Sequence, residues 1–187
     1  EGGMFSEESE QRGLDGVAGI QFGTTPAFAD YDRDGYPDLF IANQSLPRSE
    51  PPLEPASSGQ LYRNRGAAAP GSFENVTESS GVGDVPRGFS PSFVDLDLDG
   101  WPDLQVVAND EASRIFWNDN GFFTDGTEAA GVGTSGAEMG STFGDFDQDG
   151  DLDWFVAGAQ CPTAECGTNR EFDYANANMV VDPVNWA

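Results

Sequence analysis

The chain has 187 residues, 33 of them acidic and 8 basic, so its formal net charge is −25 at pH 7. It has no histidine, and every basic residue is arginine, which excludes a Ser-His-Asp triad, an imidazole metal site and a P-loop lysine. The negative charge disfavours nucleic acid and anionic membrane surfaces as partners, and no apolar run approaches the ~20 residues of a membrane-spanning helix. With 14 Phe and 4 Trp, a disordered acidic tail is also disfavoured.

The first predicted elements surround the acidic segment Asp30–Asp38. Short apolar runs at Thr25–Ala29 and Leu39–Ala42 are bounded by turn residues and predict two strands joined by a hairpin. A proline-rich stretch at 45–60 then predicts an exposed loop insertion. Two further strands are predicted around Leu61–Arg63 and in the segment that starts at Phe73.

The same order of elements recurs further along the chain. Strands at Ser90–Val94 and Leu104–Ala108 flank Asp95–Asp103, and strands at Ser141–Gly144 and Trp154–Ala157 flank Asp145–Asp153. Starting each unit at its phenylalanine, Phe5, Phe73 or Phe123, divides a single repeat region 1–187 into units of about 5–72, 73–122 and 123–187. The predicted fold is all-β, with three propeller-type blades of about four antiparallel strands each. Three phenylalanines that precede the acidic segments and three tryptophans are expected in the core between blades: Phe22, Phe89, Phe143, Trp101, Trp117 and Trp154.

The three acidic nonapeptides share the pattern D-x-D-x-D-G-x-x-D. Carboxylates at positions 1, 3 and 5 converge only if the backbone curls, which the glycine at position 6 permits. With a position 7 carbonyl and a position 9 carboxylate, the oxygens form a shell suited to Ca²⁺. The sequence therefore predicts about three Ca²⁺ per chain, bound in hairpin loops. The predicted ligands are Asp30, Asp32, Asp34, Tyr36 and Asp38; Asp95, Asp97, Asp99, Trp101 and Asp103; and Asp145, Asp147, Asp149, Asp151 and Asp153, with the position 7 residues Tyr36, Trp101 and Asp151 acting through their carbonyls.

Two other interpretations of the nonapeptide are weaker. An EF-hand needs a glutamate at position 12 between two helices, whereas Ile41, Val106 and Val156 occupy that position inside predicted strands. A solvated acidic turn explains one copy, but not three copies that each keep four aspartates and the glycine.

The segments DYDRDGYPDLFIAN, LYRN and FENVTESSGV resemble the FG-GAP or VCBS repeats of integrin-α-like propellers. The resemblance extends to the acidic secreted proteins of the cartilage acidic protein group and to their bacterial relatives with ASPIC/UnbV regions. It implies a β-propeller with Ca²⁺ in its hairpins, an extracellular location and a role in adhesion. Three units are fewer than a closed propeller needs, which predicts an incomplete propeller or part of a larger stack.

Cys161 and Cys166 are the only cysteines, and without histidine they make a poor zinc site. In an extracellular chain they are predicted to form a disulfide that staples a short loop. Asn43 and Asn75 begin N-x-[ST] motifs, which matter only in a glycosylating secretory pathway.

The functional prediction is a calcium-stabilised, secreted structural or adhesion module without catalytic residues. The expected partners are other chains or further repeats of the same protein in an assembly, with extracellular matrix or glycan as further candidates. The alternative is a carbohydrate-binding or carbohydrate-active propeller fragment. An enzyme of that kind would use two carboxylates as acid and base, one of them with a raised pKa in a pocket.

Overall fold

The computed structural model describes residues 4–14, 22–44, 58–83, 85–108, 112–132, 137–159 and 178–181. These residues form three antiparallel sheets and two short 3-10 turns, Glu10–Arg12 and Gly66–Ala68. Sheet I contains β1 (Phe22–Ala29), β2 (Asp38–Gln44), β3 (Gln60–Arg65) and β4 (Ala69–Asn75). Sheet II contains β5 (Gly88–Val94), β6 (Asp103–Ala108), β7 (Arg114–Asp119) and β8 (Phe122–Asp125). Sheet III contains β9 (Ala137–Gly144), β10 (Asp153–Ala159) and β11 (Asn178–Val181).

The all-β prediction is confirmed, because each sheet is a meander of consecutive antiparallel strands. Every acidic nonapeptide joins the first two strands of its sheet. Its position 9 aspartate starts the second strand and pairs with the residue just before position 1, as in the pairs Ala29–Asp38, Val94–Asp103 and Gly144–Asp153. The nonapeptides therefore lie at the tips of hairpins, and the sheets correspond to propeller-type blades.

Sheet II lies between the other two sheets and packs against both of them. Its strand β6 is buried throughout: Leu104 and Val106 belong to the hydrophobic cluster shared with sheet I, whereas Val107 belongs to the cluster shared with sheet III. Alternate residues of a strand point to opposite faces, so a near-continuous apolar run is what a doubly covered strand requires. The largest almost completely buried side chains of the first cluster are those of Phe40, Phe116 and Phe123.

The predicted aromatic core is confirmed in part. Trp154 is buried and stacks on Phe143, and Trp117 packs against the same cluster. The prediction is wrong for Trp101, which is only partly buried and lies outside both clusters. Trp101 lies in a hairpin loop and not in a strand, so its ring does not reach the core. The ring centroid lies 5.1 Å from the Arg33 guanidinium of the preceding hairpin, in a cation–π contact.

Buried polar side chains also join the sheets. The Asn118 side-chain amide on β7 donates to the carbonyls of Tyr31 and Pro102, each at 2.9 Å, and Asn118 Oδ1 accepts from the N–H of Gly121. Tyr31 belongs to the hairpin of sheet I, so this asparagine ties β7 to a loop of the neighbouring sheet. The Gln105 amide and the Ser141 hydroxyl, 2.9 Å apart, make a similar link between sheets II and III.

The three hairpin loops follow one backbone course. The residue at position 4 has a positive φ in each loop, with values of 56° at Arg33, 60° at Leu98 and 65° at Gln148. The glycine at position 6 has φ of 92°, 93° and 103° in the three loops. Positive φ is uncommon outside glycine, so its recurrence at position 4 shows that the loop shape overrides the local preference of three different residues.

A hydrogen-bonded turn recurs at three places, and we call these the capped turns: Glu8–Leu14, Val76–Val82 and Gly126–Val132. In each, two nested backbone hydrogen bonds close the turn at a glycine of positive φ, as at a helix C-terminus. The second and third capped turns follow β4 and β8, so Phe73 and Phe123 lie in the last strand of a sheet although each starts a sequence repeat. The segment of Phe5 belongs to no strand of the described residues.

Some predictions fall partly or wholly outside the described residues. The exposed-loop prediction for 45–60 is wrong at its end, since Gln60 starts β3 and is buried, and residues 45–57 are not described. Cys161 and Cys166, with their predicted disulfide, also lie outside the described residues. The described residues form no helix that is long and apolar enough to cross a membrane.

Replacing Asn118 with alanine should destabilise the fold by about 2–3 kcal/mol, because the carbonyls of Tyr31 and Pro102 and the N–H of Gly121 lose their partner. Chemical denaturation followed by circular dichroism measures this change. Asn120→Gly is the matched control: Asn120 is exposed with φ of 55°, so its unfolding free energy should change by less than about 0.5 kcal/mol. Equal effects of the two variants would contradict the role of Asn118.

Gly35→Ala should cost about 1–2 kcal/mol of unfolding free energy, because φ of 92° is unfavourable for an L-residue. The new Cβ would meet no described atom within 4 Å, so this cost is one of backbone conformation alone. Gly140→Ala on β9 has equally open surroundings without a positive φ, and should be neutral or slightly stabilising. Thermal melting of both variants would contradict the assigned loop conformation if Gly35→Ala melted no lower than Gly140→Ala.

Candidate metal centre

The candidate sites are the three hairpin loops, where backbone N–H groups orient the carboxylates. The position 1 aspartate accepts a hydrogen bond from the position 6 glycine through Oδ2, at 2.9 Å in Asp30, 3.0 Å in Asp95 and 3.2 Å in Asp145. Position 3 accepts from the N–H of position 5, and position 5 accepts from the N–H of position 7, in all three loops. The backbone curl that the glycine permits is thus held by hydrogen bonds from the N–H groups of the loop to its own carboxylates.

The carboxylates converge as the spacing predicts, although the convergent set differs between loops. In each set, one oxygen from every member lies within 4.8 Å of the others. The sets are Asp30, Asp32 and Asp38; Asp95, Asp97 and Asp99; and Asp145, Asp147 and Asp153. Positions 1 and 3 contribute to every set, position 9 joins them in the first and third loops, and position 5 joins them in the second. The predicted ligand role of these residues stays a prediction.

Two carboxylate oxygens fit a bound cation especially well. Oδ1 of Asp30 and Oδ1 of Asp95 are buried and have no hydrogen-bond partner, while Oδ2 of each is bonded to its loop glycine. A buried carboxylate oxygen without a partner is costly. Carboxylate oxygens are the ligands that a hard cation prefers, so the residues present fit Ca²⁺.

The position 9 aspartates have a second role that the sequence did not reveal. Asp38 is completely buried; its Oδ2 accepts from the N–H of Tyr31 at 3.1 Å and its Oδ1 from the N–H of Asn64 at 2.7 Å. Asp103 accepts in the same way from Leu96 and Asn118. In the first two sheets, position 9 therefore connects the loop to the third strand of its sheet.

Burial also changes the acidity of the loop carboxylates. It raises the pKa of Asp38 and of Asp103 to about 7, and neighbouring carboxylates add to this effect while the backbone N–H groups oppose it. The pKa values of Asp32 and Asp97 are raised too, first by burial and then by the other aspartates of their loops. A cation placed among these groups would favour their ionised forms.

An asparagine that sequence reasoning left without a function completes each of the first two loops. Asn64 and Asn118 end the recurring strings LYRN and IFWN, and their side-chain amides donate to the position 8 carbonyls of Pro37 and Pro102. Their backbone N–H groups hold the position 9 aspartates. The recurrence of asparagine at one place in two repeats was the available signal. In sheet III, Val180–Val181 occupies the register of Leu61–Tyr62, and the string has no counterpart there.

The chain matches family models in two segments. Residues 22–62 match the FG-GAP repeat and residues 99–156 match the FG-GAP-like repeat. The first match covers β1, the first loop, β2 and the start of β3, and the second begins inside the second loop and ends in β10. No curated protein matches the chain. The blades and their acidic hairpins, together with these two matches, identify the chain as an FG-GAP repeat protein.

Proposed function

We propose that this protein is a calcium-stabilised, secreted structural or adhesion module. The observation that supports the proposal best is the three-fold recurrence of one loop, with the same hydrogen bonds and a convergent set of aspartates each time. The unpartnered oxygens of Asp30 and Asp95 add independent support. Repeats of this family suit a propeller-type binding surface rather than a catalytic one.

About three Ca²⁺ per chain would be bound, one in each loop. Aspartates at positions 1, 3, 5 and 9 and the carbonyl of position 7 would supply the ligands. The bound ion offsets the repulsion between the loop carboxylates and holds the hairpin between its two strands. Extracellular calcium modules have affinities of roughly 10⁻⁴–10⁻³ M, which agrees with a secreted protein. The disulfide between Cys161 and Cys166 belongs to the same proposal, because it requires an oxidising compartment.

A non-enzymatic role is favoured over a carbohydrate-active one. The carboxylates with pKa values raised to about 7, Asp38 and Asp103, use both oxygens to accept backbone N–H groups inside the hairpins. Glu138, whose pKa is raised by burial, accepts a hydrogen bond from Ser113 between sheets II and III. These groups are structural anchors and not an exposed acid–base pair. Matrix or glycan as a ligand, and membership of the cartilage acidic protein group, stay predictions.

Calcium should raise the melting temperature of the protein. At millimolar free Ca²⁺, which is about 1–10 times a dissociation constant of roughly 10⁻⁴–10⁻³ M, each site adds about 0.4–1.4 kcal/mol of stability, and 1 kcal/mol corresponds to roughly 2–4 °C for a chain of this size. Calorimetry with EGTA, with millimolar Mg²⁺ and with millimolar Ca²⁺ at constant ionic strength measures the shift. We expect the largest increase with Ca²⁺. Equal melting temperatures in EGTA and Ca²⁺ would show that the loops are ordinary acidic turns.

Asp30→Asn should abolish calcium binding in the first loop alone. Its remaining oxygen can still accept from the N–H of Gly35, while an amide NH₂ replaces the unpartnered oxygen and cannot ligate the cation. The control is Asp151→Asn, which removes the same charge at position 7, where Tyr36 and Trp101 serve in the other loops. Isothermal titration should find about one site fewer in Asp30→Asn and no loss in Asp151→Asn. Loss of a site in both variants, or in neither, would be incompatible with the proposed ligands.

A further inference from the structure

The first acidic loop packs against the neighbouring sheet more closely than the other two loops do. Tyr31, at position 2, is only 3% exposed, and its ring packs against Phe123 of β8 with 5.4 Å between the ring centroids. Leu96, at position 2 of the second loop, is partly buried against the cluster shared with sheet III. Phe146, at position 2 of the third loop, is 51% exposed. The same loop shape therefore has three different surroundings.

The hairpin formed by β7 and β8 of sheet II holds two successive residues of the first loop. The Asn118 side-chain amide donates to the Tyr31 carbonyl at 2.9 Å. Gly121, in the turn of this hairpin, faces Asp32: a Cβ on Gly121 would lie 3.3 Å from the Asp32 Cβ and 3.6 Å from its Cα. The N–H of Gly121 donates to Asn118 Oδ1 at 2.9 Å, so Asn118 fixes the turn as well as the loop.

These contacts reach the candidate calcium ligands of the first loop. The N–H of Tyr31 donates to Asp38 Oδ2 at 3.1 Å, while the Tyr31 carbonyl accepts from Asn118. The two peptide groups around Tyr31 therefore connect sheet II to Asp38. Asp32, which Gly121 faces, belongs to the same convergent set as Asp30 and Asp38. Sheet II thus bears on positions 3 and 9 of a loop whose strands belong to sheet I.

We propose that the β7–β8 hairpin of sheet II positions the ligands of the first calcium loop, so that calcium binding in this loop and the docking of sheets I and II strengthen each other. Asn118 and Gly121 are the positioning residues. The effect is reciprocal by thermodynamic linkage: a hairpin that raises the calcium affinity of the loop is itself stabilised when calcium binds there. The inference rests on the proposed calcium binding and adds to it a dependence on the neighbouring blade.

The test uses full-length chains in which a single loop keeps its position 1 aspartate. Asp95→Asn with Asp145→Asn leaves the first loop intact, and we call this variant the first-loop protein. Asp30→Asn with Asp95→Asn leaves the third loop intact and gives the third-loop protein. The third loop is the reference, because its position 2 residue is exposed. Isothermal titration with Ca²⁺ measures the affinity of each remaining site.

Gly121→Ala should weaken calcium binding by the first-loop protein about five- to tenfold, because the added methyl group displaces Asp32. The same substitution should leave the affinity of the third-loop protein unchanged. Gly131→Ala is the matched control: φ is 65° at Gly131 and 86° at Gly121, and no described atom lies within 4 Å of the Cβ position of Gly131. It carries a similar backbone cost and should not alter the affinity of the first-loop protein.

Hydrogen exchange supplies a second measurement that needs no change in the hairpin. Calcium should slow amide exchange in β7 and β8 of the first-loop protein, although these strands lie in the other blade. In the third-loop protein, calcium should slow exchange in β7 and β8 much less. A purely structural role of Asn118 and Gly121 would give the same exchange in β7 and β8 with and without calcium.

The outcomes separate this inference from the calcium proposal. If the first-loop protein binds calcium but Gly121→Ala leaves its affinity unchanged, the inference is wrong and the calcium proposal stands. Equal calcium protection of β7 and β8 in the two proteins leads to the same conclusion, and it decides the matter should Gly121→Ala fail to fold. If neither protein binds calcium, both proposals are wrong.

Discussion

The structure depends on one electrostatic problem, the convergence of like-charged carboxylates at the tip of every first hairpin. Each loop brings oxygens of three aspartates within 4.8 Å, in a chain with only 8 basic residues to 33 acidic ones. Backbone N–H groups offset part of the repulsion, since positions 1, 3, 5 and 9 each accept at least one of them. They also account for the loop conformation, because the N–H of Gly35 points at Asp30 only when the chain curls through positive φ at Arg33 and Gly35. A cation would offset the repulsion that remains.

The loops are coupled to the sheets and, through them, to one another. Asp38 joins the first loop to β3 through the N–H of Asn64, and Asn118 of sheet II holds the Tyr31 carbonyl of that same loop. Arg33 reaches from the first loop to Trp101 in the second. A change in one hairpin is therefore transmitted to the strand beside it and to the next blade.

The hairpins could be predicted from the sequence because their signals are local. The glycine at position 6, the alternating aspartates and the apolar runs on either side define each hairpin within about twenty residues. Three features could not be found in this way. The stacking of Trp101 depends on an arginine in another blade, the anchoring role of Asp38 depends on a backbone N–H of β3, and the tie made by Asn118 spans two sheets. Such contacts follow from how the blades pack, and residue type alone does not specify them.

The offset between the repeat in the sequence and the sheet in space explains how the blades are held in order. A unit that starts at Phe73 contributes its first strand to sheet I and its acidic hairpin to sheet II, so the covalent chain crosses from one blade to the next inside the unit. The capped turn Val76–Val82 lies at this crossing, where Gly81 meets the strand of Phe123. Neighbouring blades are thus joined by the covalent crossing, by the capped turn and by a hydrophobic cluster. Among the described residues, β11 lies at the edge of sheet III, and the exposed backbone groups of such an edge favour pairing with another strand.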